Sequence, residues 1–435
     1  MVNIFESLQI KSPFLKALND EKYQIPTPIQ KECIPKVLDG YDILGIAQTG
    51  TGKTAAFSIP ILQLLNGSQP ENKKRSTRAL ILAPTRELAI QIGSSIRLYG
   101  KYIAFKHTLI YGGVGQKPQV DALKRGMDLI VGTPGRLLDL INQGHCQLDK
   151  VEYFVLDEAD RMLDMGFIND VKKIVKILPK RRQTLLFSAT MPLAVESLAS
   201  KLLYKPEQIS IKPSSTPVEN IKQLVSFVKV EEKRKYLKNL LKEIVFSSVI
   251  IFTRTKHGAN KLSTEIKSST IISDALHGNK SQAARLRTLK DFKLGKINVL
   301  VATDIAARGI DVEGISHVIN YELPNVPEDY IHRIGRTARA GASGTAISLC
   351  SPNEQPFLKN IEKLMGLSIK VFDGQPSTDI DEINKKPHRK STNRFSKNRK
   401  LSPKNLIKKE SVKKNTPNKN KRFHKKKKKN IGKYS

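Results

Sequence analysis

Residues Ala47–Thr54 read AQTGTGKT, and they follow the short apolar stretch Asp42–Ile46. A strand that runs into a glycine-rich loop ending in Lys-Thr is typical of a phosphate-binding loop, because successive backbone N–H groups can wrap a phosphate. A helical pattern over Ala55–Leu65 follows, so a plain glycine turn before a helix is the weaker interpretation. The sequence therefore predicts a nucleotide site with contacts from Thr49, Gly50, Thr51, Gly52, Lys53 and Thr54.

Two side chains of this loop carry specific chemistry. Lys53 would reach the β- and γ-phosphates as a point charge. The Thr54 hydroxyl would ligate Mg²⁺, a cation that prefers oxygen ligands. The loop thus predicts binding of a nucleoside triphosphate together with its metal ion.

A pair of acids about a hundred residues later fits the same site. The apolar stretch Tyr153–Leu156 runs into Asp157 and Glu158, the start of the sequence DEAD. An Asp at the carboxyl end of a neighbouring strand can hold Mg²⁺, and the adjacent Glu can orient or deprotonate the attacking water. Two acids that open a helix often only compensate its dipole, but beside a phosphate loop they favour a nucleoside triphosphatase.

The rest of the chain repeats one pattern of short apolar stretches and helical segments. This alternation predicts parallel α/β sheets. A Pro/Ser-rich stretch, KPEQISIKPSSTP, interrupts it and predicts a linker over residues 206–217 between domains 1–205 and 218–373. The expected strands are Asp42–Ile46, Ala79–Ala83, Thr108–Tyr111, Asp128–Val131, Tyr153–Leu156 and Thr184–Phe187, then Gln223–Phe227, Val249–Phe252, Val299–Ala302, His317–Asn320 and Ala346–Leu349.

Composition narrows the class of protein. Of 435 residues, 39% are hydrophobic, which is enough for real cores, and 75 Lys/Arg against 40 Asp/Glu give a net charge of +35. That excess predicts a polyanionic partner. Three widely spaced cysteines predict a reducing compartment without a disulfide framework or a zinc site. No apolar run is long enough for a membrane span, and the start does not resemble a secretory signal, so we expect a cytoplasmic protein without membrane contacts.

The positive charge is concentrated at the end of the chain. Residues 384–435 contain 22 Lys/Arg and a single acid, Glu410, a net charge of +21. With few large apolar residues, the segment 374–435 is predicted to be a disordered basic tail. It could serve only as a solubilising tail, but clustered Lys/Arg favour a nonspecific arm that binds nucleic-acid phosphates.

The motifs AQTGTGKT, DEAD and SAT (Ser188–Thr190) together resemble the DEAD-box family of ATP-dependent RNA helicases of superfamily 2. The resemblance runs from about Phe5 to Leu349 and includes the family's motifs in order. The compact core and basic tail resemble the bacterial RhlE-like branch. The resemblance implies two tandem RecA-like domains, ATP and Mg²⁺ as cofactors, and single-stranded and duplex RNA as partners. It leaves protein partners unknown.

The segment Tyr23–Gln30, YQIPTPIQ, precedes the phosphate loop. From the residues alone it predicts a helix start, with Thr27 as N-cap and Gln30 closing a capping box. The resemblance implies that residues of about 3–31 also recognise adenine, with Gln30 binding N6 and N7 and with Tyr23 and Phe5 packing at the base. Lys22 stands where the family usually has Gly.

Further ATP contacts are implied in the second domain. In HRIGRTARAG (His332–Gly341), Arg336 and Arg339 would share one face if the segment is helical, and a solvated basic helix face is the alternative. The resemblance implies that both stabilise charge on the γ-phosphate, with Arg339 as arginine finger. Ala338 stands where the family more often has Gly, a change expected to have a modest effect. The resemblance also assigns Asp311 to the ribose and Ser188, Thr190 and His332 to coupling.

Several loops are expected to contact RNA. PTREL (Pro84–Leu88) and TPGR (Thr133–Arg136) offer helix starts that bind phosphate through free N–H groups, although each could be simple capping. Few aromatic residues occur in these loops, so contacts should go mainly to sugar and phosphate. The resemblance implies RNA contacts from Thr85, Arg86, Gly112, Gly113, Thr133, Gly135, Arg136, Thr253, Arg254, Gly278, Gln282, Arg285, Thr303, Asp304 and Arg308.

The resulting hypothesis is an ATP-dependent RNA helicase in which ATP and RNA jointly close two domains. Its catalytic residues would be Lys53, Asp157, Glu158, Arg336 and Arg339. Two alternatives stay open: a double-stranded DNA translocase of the same superfamily, and an ATP-gated RNA clamp or annealing chaperone that depends on its tail. Which RNA is the target and whether the protein is an oligomer are not readable from the sequence.

Overall fold

The computed structural model describes residues 4–48, 50–67, 75–211, 221–307, 314–338 and 343–376. Of the predicted basic tail 374–435, all but the first three residues lie outside these ranges. Four predicted site residues also lie outside the described residues: Thr49, Arg308, Asp311 and Arg339.

The amino-terminal lobe is built on seven parallel strands. They are β1 (Ile43–Ile46), β2 (Ala79–Leu82), β3 (His107–Ile110), β4 (Leu129–Gly132), β5 (Tyr153–Leu156), β6 (Gln183–Ser188) and β7 (Glu207–Ser210). After a 3-10 helix at Ile4–Leu8, its helices are α1 (Ser12–Asp20), α2 (Pro28–Leu38), α3 (Lys53–Gly67), α4 (Arg86–Tyr99), α5 (Lys117–Lys124), α6 (Pro134–Asn142), α7 (Ala159–Asp164), α8 (Ile168–Ile177) and α9 (Leu193–Leu202).

The carboxy-terminal lobe has a second sheet of seven parallel strands. They are β8 (Ile221–Phe227), β9 (Val249–Phe252), β10 (Ser273–Leu276), β11 (Val299–Ala302), β12 (His317–Asn320), β13 (Gly344–Cys350) and β14 (Lys370–Asp373). Its helices are α10 (Lys233–Glu243), α11 (Lys256–Glu265), α12 (Gln282–Lys293), α13 (Asp304–Ala307), α14 (Pro327–Ile334) and α15 (Gln355–Met365), with a 3-10 turn at Pro352–Glu354.

The two sheets have the same strand order. The first runs β3-β4-β2-β5-β6-β1-β7, and the second runs β10-β11-β9-β12-β13-β8-β14. All strand pairs are parallel, so all loops at strand carboxyl ends meet at one edge of each sheet, where ligands bind in open α/β folds. The prediction of two tandem parallel α/β domains is therefore confirmed.

Both faces of each sheet are buried, which explains the nearly continuous apolar strands. In β2, Ile81 packs into one core cluster, whereas Leu80 and Leu82 pack into the other. In β9, Ile251 and Phe252 likewise belong to clusters on different faces. Helices on both sides are needed to cover such strands. In the described part of the chain, no helix is both long and apolar enough to cross a membrane.

The central strands lie where the sequence predicts them, within one or two residues. The prediction of a linker over residues 206–217 is wrong in part, because Glu207–Ser210 forms β7 and pairs with β1. Two further strands, β10 and β14, were not predicted. All three lie at sheet edges and contain polar or charged residues, so they lack the apolar run that marks a central strand.

Candidate active site

The strand order brings the predicted nucleotide motifs to one half of the carboxyl edge. The phosphate loop follows β1, the SAT motif ends β6, and the DEAD motif follows β5. These three strands are neighbours, with β6 in the middle. The phosphate loop lies more than a hundred residues before the other two motifs in the chain, but all three are adjacent in space.

A cavity of about 280 Å³ lies between the lobes at this edge. The amino-terminal lobe contributes residues of the phosphate loop, the DEAD motif and the SAT motif, and the carboxy-terminal lobe contributes residues at the end of α14. The lining residues include Gly50, Thr51, Lys53, Glu158, Asp160, Arg161, Thr190, His332, Arg336 and Ala338.

The phosphate loop is held in a wound conformation. Gly50 and Gly52 have φ angles of +89° and +93°, which L side chains rarely adopt. A β-carbon at Gly52 would lie 2.4 Å from Nε2 of Gln30, so a larger residue here would have to displace that side chain. The Lys53 ammonium donates to the Ala47 carbonyl at 2.8 Å. The Lys53 side chain is thus folded back over the loop.

The acidic pair is deeply buried. Asp157 is 3% exposed, and burial raises the pKa of its carboxyl to about 7, although the nearby Lys53 ammonium opposes that rise. Glu158 has left-handed backbone angles of φ 53° and ψ 54°, an uncommon conformation that concentrates at functional sites. Its Oε2 lies 3.0 Å from Nη1 of Arg161, a residue that sequence analysis did not single out.

Asp160 fastens the SAT motif to the DEAD motif. Its Oδ2 accepts hydrogen bonds from the backbone N–H groups of Ala189 (3.1 Å) and Thr190 (2.9 Å) and from the Thr190 hydroxyl (3.0 Å). The Ser188 hydroxyl donates to the Thr190 carbonyl at 2.7 Å and accepts from the Asp160 N–H at 3.1 Å. Movement of the SAT segment would therefore also displace Asp160 and with it the acidic residues of the DEAD motif.

The predicted adenine segment is joined to the phosphate loop through Gln30. The prediction of Thr27 as N-cap of α2 is confirmed, and its N–H donates to Gln30 Oε1 at 2.9 Å. Gln30 Nε2 donates to the Gly52 carbonyl at 3.2 Å. Tyr23 is 46% exposed and packs against Tyr99, with ring centroids 6.3 Å apart.

Two further residues of this segment, Phe5 and Lys22, lie in different environments: Phe5 is in the core, and Lys22 is in a turn. Phe5 is 2% exposed and lies in the core of the lobe. Lys22, at the family's usual glycine position, has a φ of 60°. The left-handed turn is therefore retained without glycine, although a lysine there carries backbone strain.

In the described part of HRIGRTARAG, residues 332–338, only residues 332–334 are helical. Helix α14 ends at Ile334, and Gly335 is its C-cap, so Arg336 lies beyond the helix. Arg336 is 5% exposed, and its Nε donates to the His332 carbonyl at 3.2 Å. Arg336 therefore does not lie on a helical face. Ala338 has a φ of 52°, so alanine at this glycine position is also strained.

The loops predicted to contact RNA in the amino-terminal lobe follow β2, β3 and β4, the other half of the same edge. Thr85 caps α4, since its hydroxyl accepts from the Leu88 N–H at 3.2 Å. The Arg86 guanidinium covers Gly113, where a β-carbon would lie 1.9 Å from Nη1. Arg136 Nη1 donates to the Val114 carbonyl at 3.4 Å. Thr133 is the N-cap residue of α6, Gly135 lies in the first turn of that helix, and Gly112 lies in the loop after β3.

The equivalent loops of the carboxy-terminal lobe follow β9, β10 and β11, the strands at matching positions. We call these six loops the track loops. Two charged side chains of these loops, Arg254 and Asp304, are paired with residues of the same lobe. Arg254 Nη2 donates to Glu354 at 2.6 Å, and Asp304 accepts from Arg333 Nη2 at 2.8 Å. Thr253 is buried, and its hydroxyl donates to the Thr255 carbonyl at 3.3 Å, whereas Gly278 faces open space and Thr303 is half-buried.

The helices that follow two of the track loops, α4 and α12, also join the lobes. Glu87, in the first turn of α4, accepts at Oε1 from Arg285 Nε (2.9 Å) and Gln282 Nε2 (3.2 Å), and all three residues are buried. Arg285 and Gln282 are predicted RNA residues, but in this structure they hold the lobes together. Glu87 was missed because an acid in the first turn of a helix is common and its partners are almost 200 residues away.

The two lobes share a cavity lined by the predicted nucleotide motifs, and each lobe carries a further set of loops at the carboxyl edge of its sheet. This arrangement defines a two-lobed nucleoside triphosphatase of the helicase type. Family models agree: the DEAD/DEAH box helicase model matches residues 27–198, and the helicase conserved C-terminal domain model matches residues 232–341. The chain belongs to the DEAD-box family of ATP-dependent RNA helicases.

Relatives and solved structures support this assignment. The chain is 44% identical over 361 residues to DEAD-box ATP-dependent RNA helicase CshA of Bacillus cereus (82% of this chain, 67% of the relative). It is 42% identical over 365 residues to CshA of Bacillus subtilis (83% and 72%). It resembles S. cerevisiae Dbp5 bound to RNA and ADP BeF3 (TM-score 0.74, 35% identity, 87% of this chain and 97% of that chain). Membership of the RhlE-like branch stays a prediction.

Proposed function

We propose that this chain hydrolyses ATP in the cleft between its lobes and uses the closure of that cleft to unwind or remodel short stretches of RNA. One observation carries the proposal: a single cavity is lined by Lys53 and Glu158 of one lobe and by His332 and Arg336 of the other. A site divided in this way is complete only when the lobes meet, so hydrolysis is gated by a domain motion.

The residues have distinct tasks in this proposal. Lys53 leaves the Ala47 carbonyl and binds the β- and γ-phosphates, and Glu158 orients or deprotonates the attacking water. Arg336 and Arg339 stabilise the charge of the transition state, a role worth about 10³–10⁵ in rate for an arginine finger. Gln30 reads the adenine, and Asp311 reaches the ribose.

Mg²⁺ fits the donor set on the amino-terminal lobe. Asp157 and Thr54 offer a carboxylate and a hydroxyl, and Mg²⁺ usually takes one or two carboxylates beside substrate phosphates and water. The raised pKa of the buried Asp157 fits as well, because a cation beside this carboxyl would favour its ionised form. In the ATP complex, the metal would supply charge that neutralises phosphate oxygens.

RNA would lie along the track loops of both lobes. Helix starts at α4 and α6 present backbone N–H groups at this edge, as suits sugar and phosphate contacts without sequence preference. Because the track loops belong to two lobes that move relative to each other, they form a continuous track only when the lobes are closed. A strand held there in a bent form could not stay in a regular duplex, so a few base pairs would open.

The tail and the cellular location complete the proposal. The +21 segment 384–435 is a nonspecific RNA-binding arm that raises the local concentration of RNA, supported by its charge. The protein works in the cytoplasm, supported by the free state of all three cysteines, Cys33, Cys146 and Cys350.

The decisive experiment compares ATP hydrolysis by the wild type and Glu158→Gln, with single-stranded RNA or DNA of equal length, at two salt concentrations. We expect strong stimulation of the wild type by RNA, little by DNA, and loss of turnover in Glu158→Gln. Hydrolysis by Glu158→Gln at the wild-type rate would refute the mechanism. Equal stimulation of ATP hydrolysis by RNA and DNA would favour a DNA translocase. RNA remodelling by Glu158→Gln at the wild-type level would favour an ATP-gated clamp.

A further inference from the structure

One cation in the wall of the nucleotide cavity has no task in the mechanism above. Arg161 lies in the last turn of the short helix α7 and lines the cavity together with Glu158, three residues earlier. Its side chain is 4% exposed, and so is that of Glu158. A buried guanidinium is expensive unless a carboxylate compensates it, and Glu158 supplies that carboxylate.

The contact between the two side chains is close but is not a well-formed hydrogen bond. Nη1 of Arg161 lies 3.0 Å from Oε2 of Glu158. Among the described residues, neither of these two atoms has a hydrogen-bond partner of acceptable geometry. The attraction is therefore electrostatic, and it leaves the hydrogen-bonding directions of the Glu158 carboxylate available to a water molecule in the cavity.

The backbone at Glu158 makes such an anchor necessary. Glu158 is the N-cap residue of α7 in a left-handed conformation, outside the regular helix, and it donates its own N–H to Asp157 Oδ1 at 3.0 Å. The backbone sets where the side chain begins, but it does not fix the remaining torsions of a long glutamate side chain. Arg161, one turn along the same short helix, fixes the position of its carboxylate.

We propose that Arg161 is the positioning residue for Glu158: its guanidinium holds the carboxylate at the cavity wall, where the attacking water is activated. This inference rests on the proposed function of Glu158. Without the guanidinium, the carboxylate is distributed over several rotamers, and small misplacements of a reacting group cost up to about a hundredfold in rate. ATP binding depends mainly on other residues, so the loss falls on kcat.

The test uses the full-length chain and measures kcat and KM for ATP in RNA-stimulated hydrolysis. The variants are Arg161→Met, Arg161→Lys, Glu158→Gln and the double variant Glu158→Gln/Arg161→Met. Arg78→Met is the matched control, because Arg78 is also a buried arginine of this lobe, paired through Nε with Glu152 at 2.7 Å, but it lies outside the cavity. Thermal melting of each variant reports folding independently of activity.

We expect Arg161→Met to lower kcat at least tenfold with a KM for ATP within twofold of wild type, and Arg161→Lys to recover most of the loss because it keeps the charge. In the Glu158→Gln background, Arg161→Met should have no further effect, since its target is gone. Arg78→Met should lower the melting temperature but leave kcat per folded molecule unchanged.

Three results would overturn the inference. An unchanged kcat in folded Arg161→Met, beside a strong loss in Glu158→Gln, would refute the positioning role and leave the proposed function intact. An equal loss from Arg161→Met in both backgrounds would mean that Arg161 acts independently of Glu158. Wild-type hydrolysis by Glu158→Gln would refute the proposed function itself. If Arg161→Met does not fold, a kcat of Arg161→Lys below that of Arg78→Met by more than tenfold also contradicts the inference.

Discussion

The contact between Glu87 and Arg285 allows lobe closure to be weakened without touching the nucleotide site. In Glu87→Gln, the amide oxygen can still accept the bonds from Arg285 and Gln282, so the change removes the charge and keeps the shape. A hydrogen bond to a charged group is worth about 1.5–3 kcal/mol and a neutral one about 0.5–1.5 kcal/mol. In Glu87→Gln, the bond from Gln282 becomes neutral and the Arg285 cation loses the opposite charge of its buried ion pair. Together these two changes should cost about 2 kcal/mol, which corresponds to about thirtyfold in the closing equilibrium.

That loss should appear where RNA binding requires the closed state. With a nonhydrolysable ATP analogue present, fluorescence anisotropy should show RNA affinity about thirtyfold weaker in Glu87→Gln, because the apparent affinity scales with the closed fraction. Analogue binding without RNA should stay within twofold. Glu207→Gln is the control, since it weakens an exposed ion pair with Lys36 inside one lobe. Equal RNA affinity of Glu87→Gln and the control would show that this contact does not determine closure.

Three other changes test separate parts of the molecule. Burial raises the pKa of the Glu354 carboxyl, but the interactions with Lys233 and Ser351 outweigh burial, so this pKa lies below the usual 4.5. The ionised Glu354 therefore stabilises the fold above pH 4.5, and this contribution is lost as the pH falls through the folded-state pKa. Urea unfolding at a series of pH values should show this loss of stability in the wild type and a smaller loss in Glu354→Gln. Lys22→Gly should stabilise the fold by up to about 1 kcal/mol by relieving the left-handed φ, whereas Lys16→Gly inside α1 should destabilise it by about 1 kcal/mol, both measured by denaturant unfolding. Deleting residues 384–435 should weaken RNA binding and flatten its dependence on salt, with ATP hydrolysis at saturating RNA unchanged; an unchanged slope would exclude the arm.

The sequence predicted the centre of each sheet well and its edges poorly. Strands such as β5 and β9 are apolar throughout because helices cover both faces, and such runs are easy to recognise. β7 reads EQIS and β10 reads SDAL, so nothing in their composition separates them from loops. Their position depends on pairing with a neighbouring strand, which is a tertiary contact that no local pattern encodes.

A similar division applies to the candidate site. The motifs after β1, β5 and β6 could be assigned because each carries its chemistry locally. The contact of Glu87 with Arg285 could not, because its two residues belong to different lobes and each is ordinary in its own helix. Arg161 could have been noticed as a cation at i+3 from Glu158, but only its burial distinguishes it from a surface ion pair.

The matching topology of the two sheets explains why ATP and RNA must influence each other's binding. In the amino-terminal lobe, the nucleotide motifs and the track loops lie on the same carboxyl edge, on different strands of one sheet, whereas the carboxy-terminal lobe supplies its cavity residues from the end of α14 and the residues that follow it. The lobes therefore meet at two zones, the nucleotide cavity and the Glu87–Arg285 contact, and neither zone can close without carrying the other. Linkage then requires that the factor by which an ATP analogue tightens RNA binding equals the factor by which RNA tightens analogue binding. In Glu87→Gln, both factors should change equally; if only one changed, the two zones would not share a single closing motion.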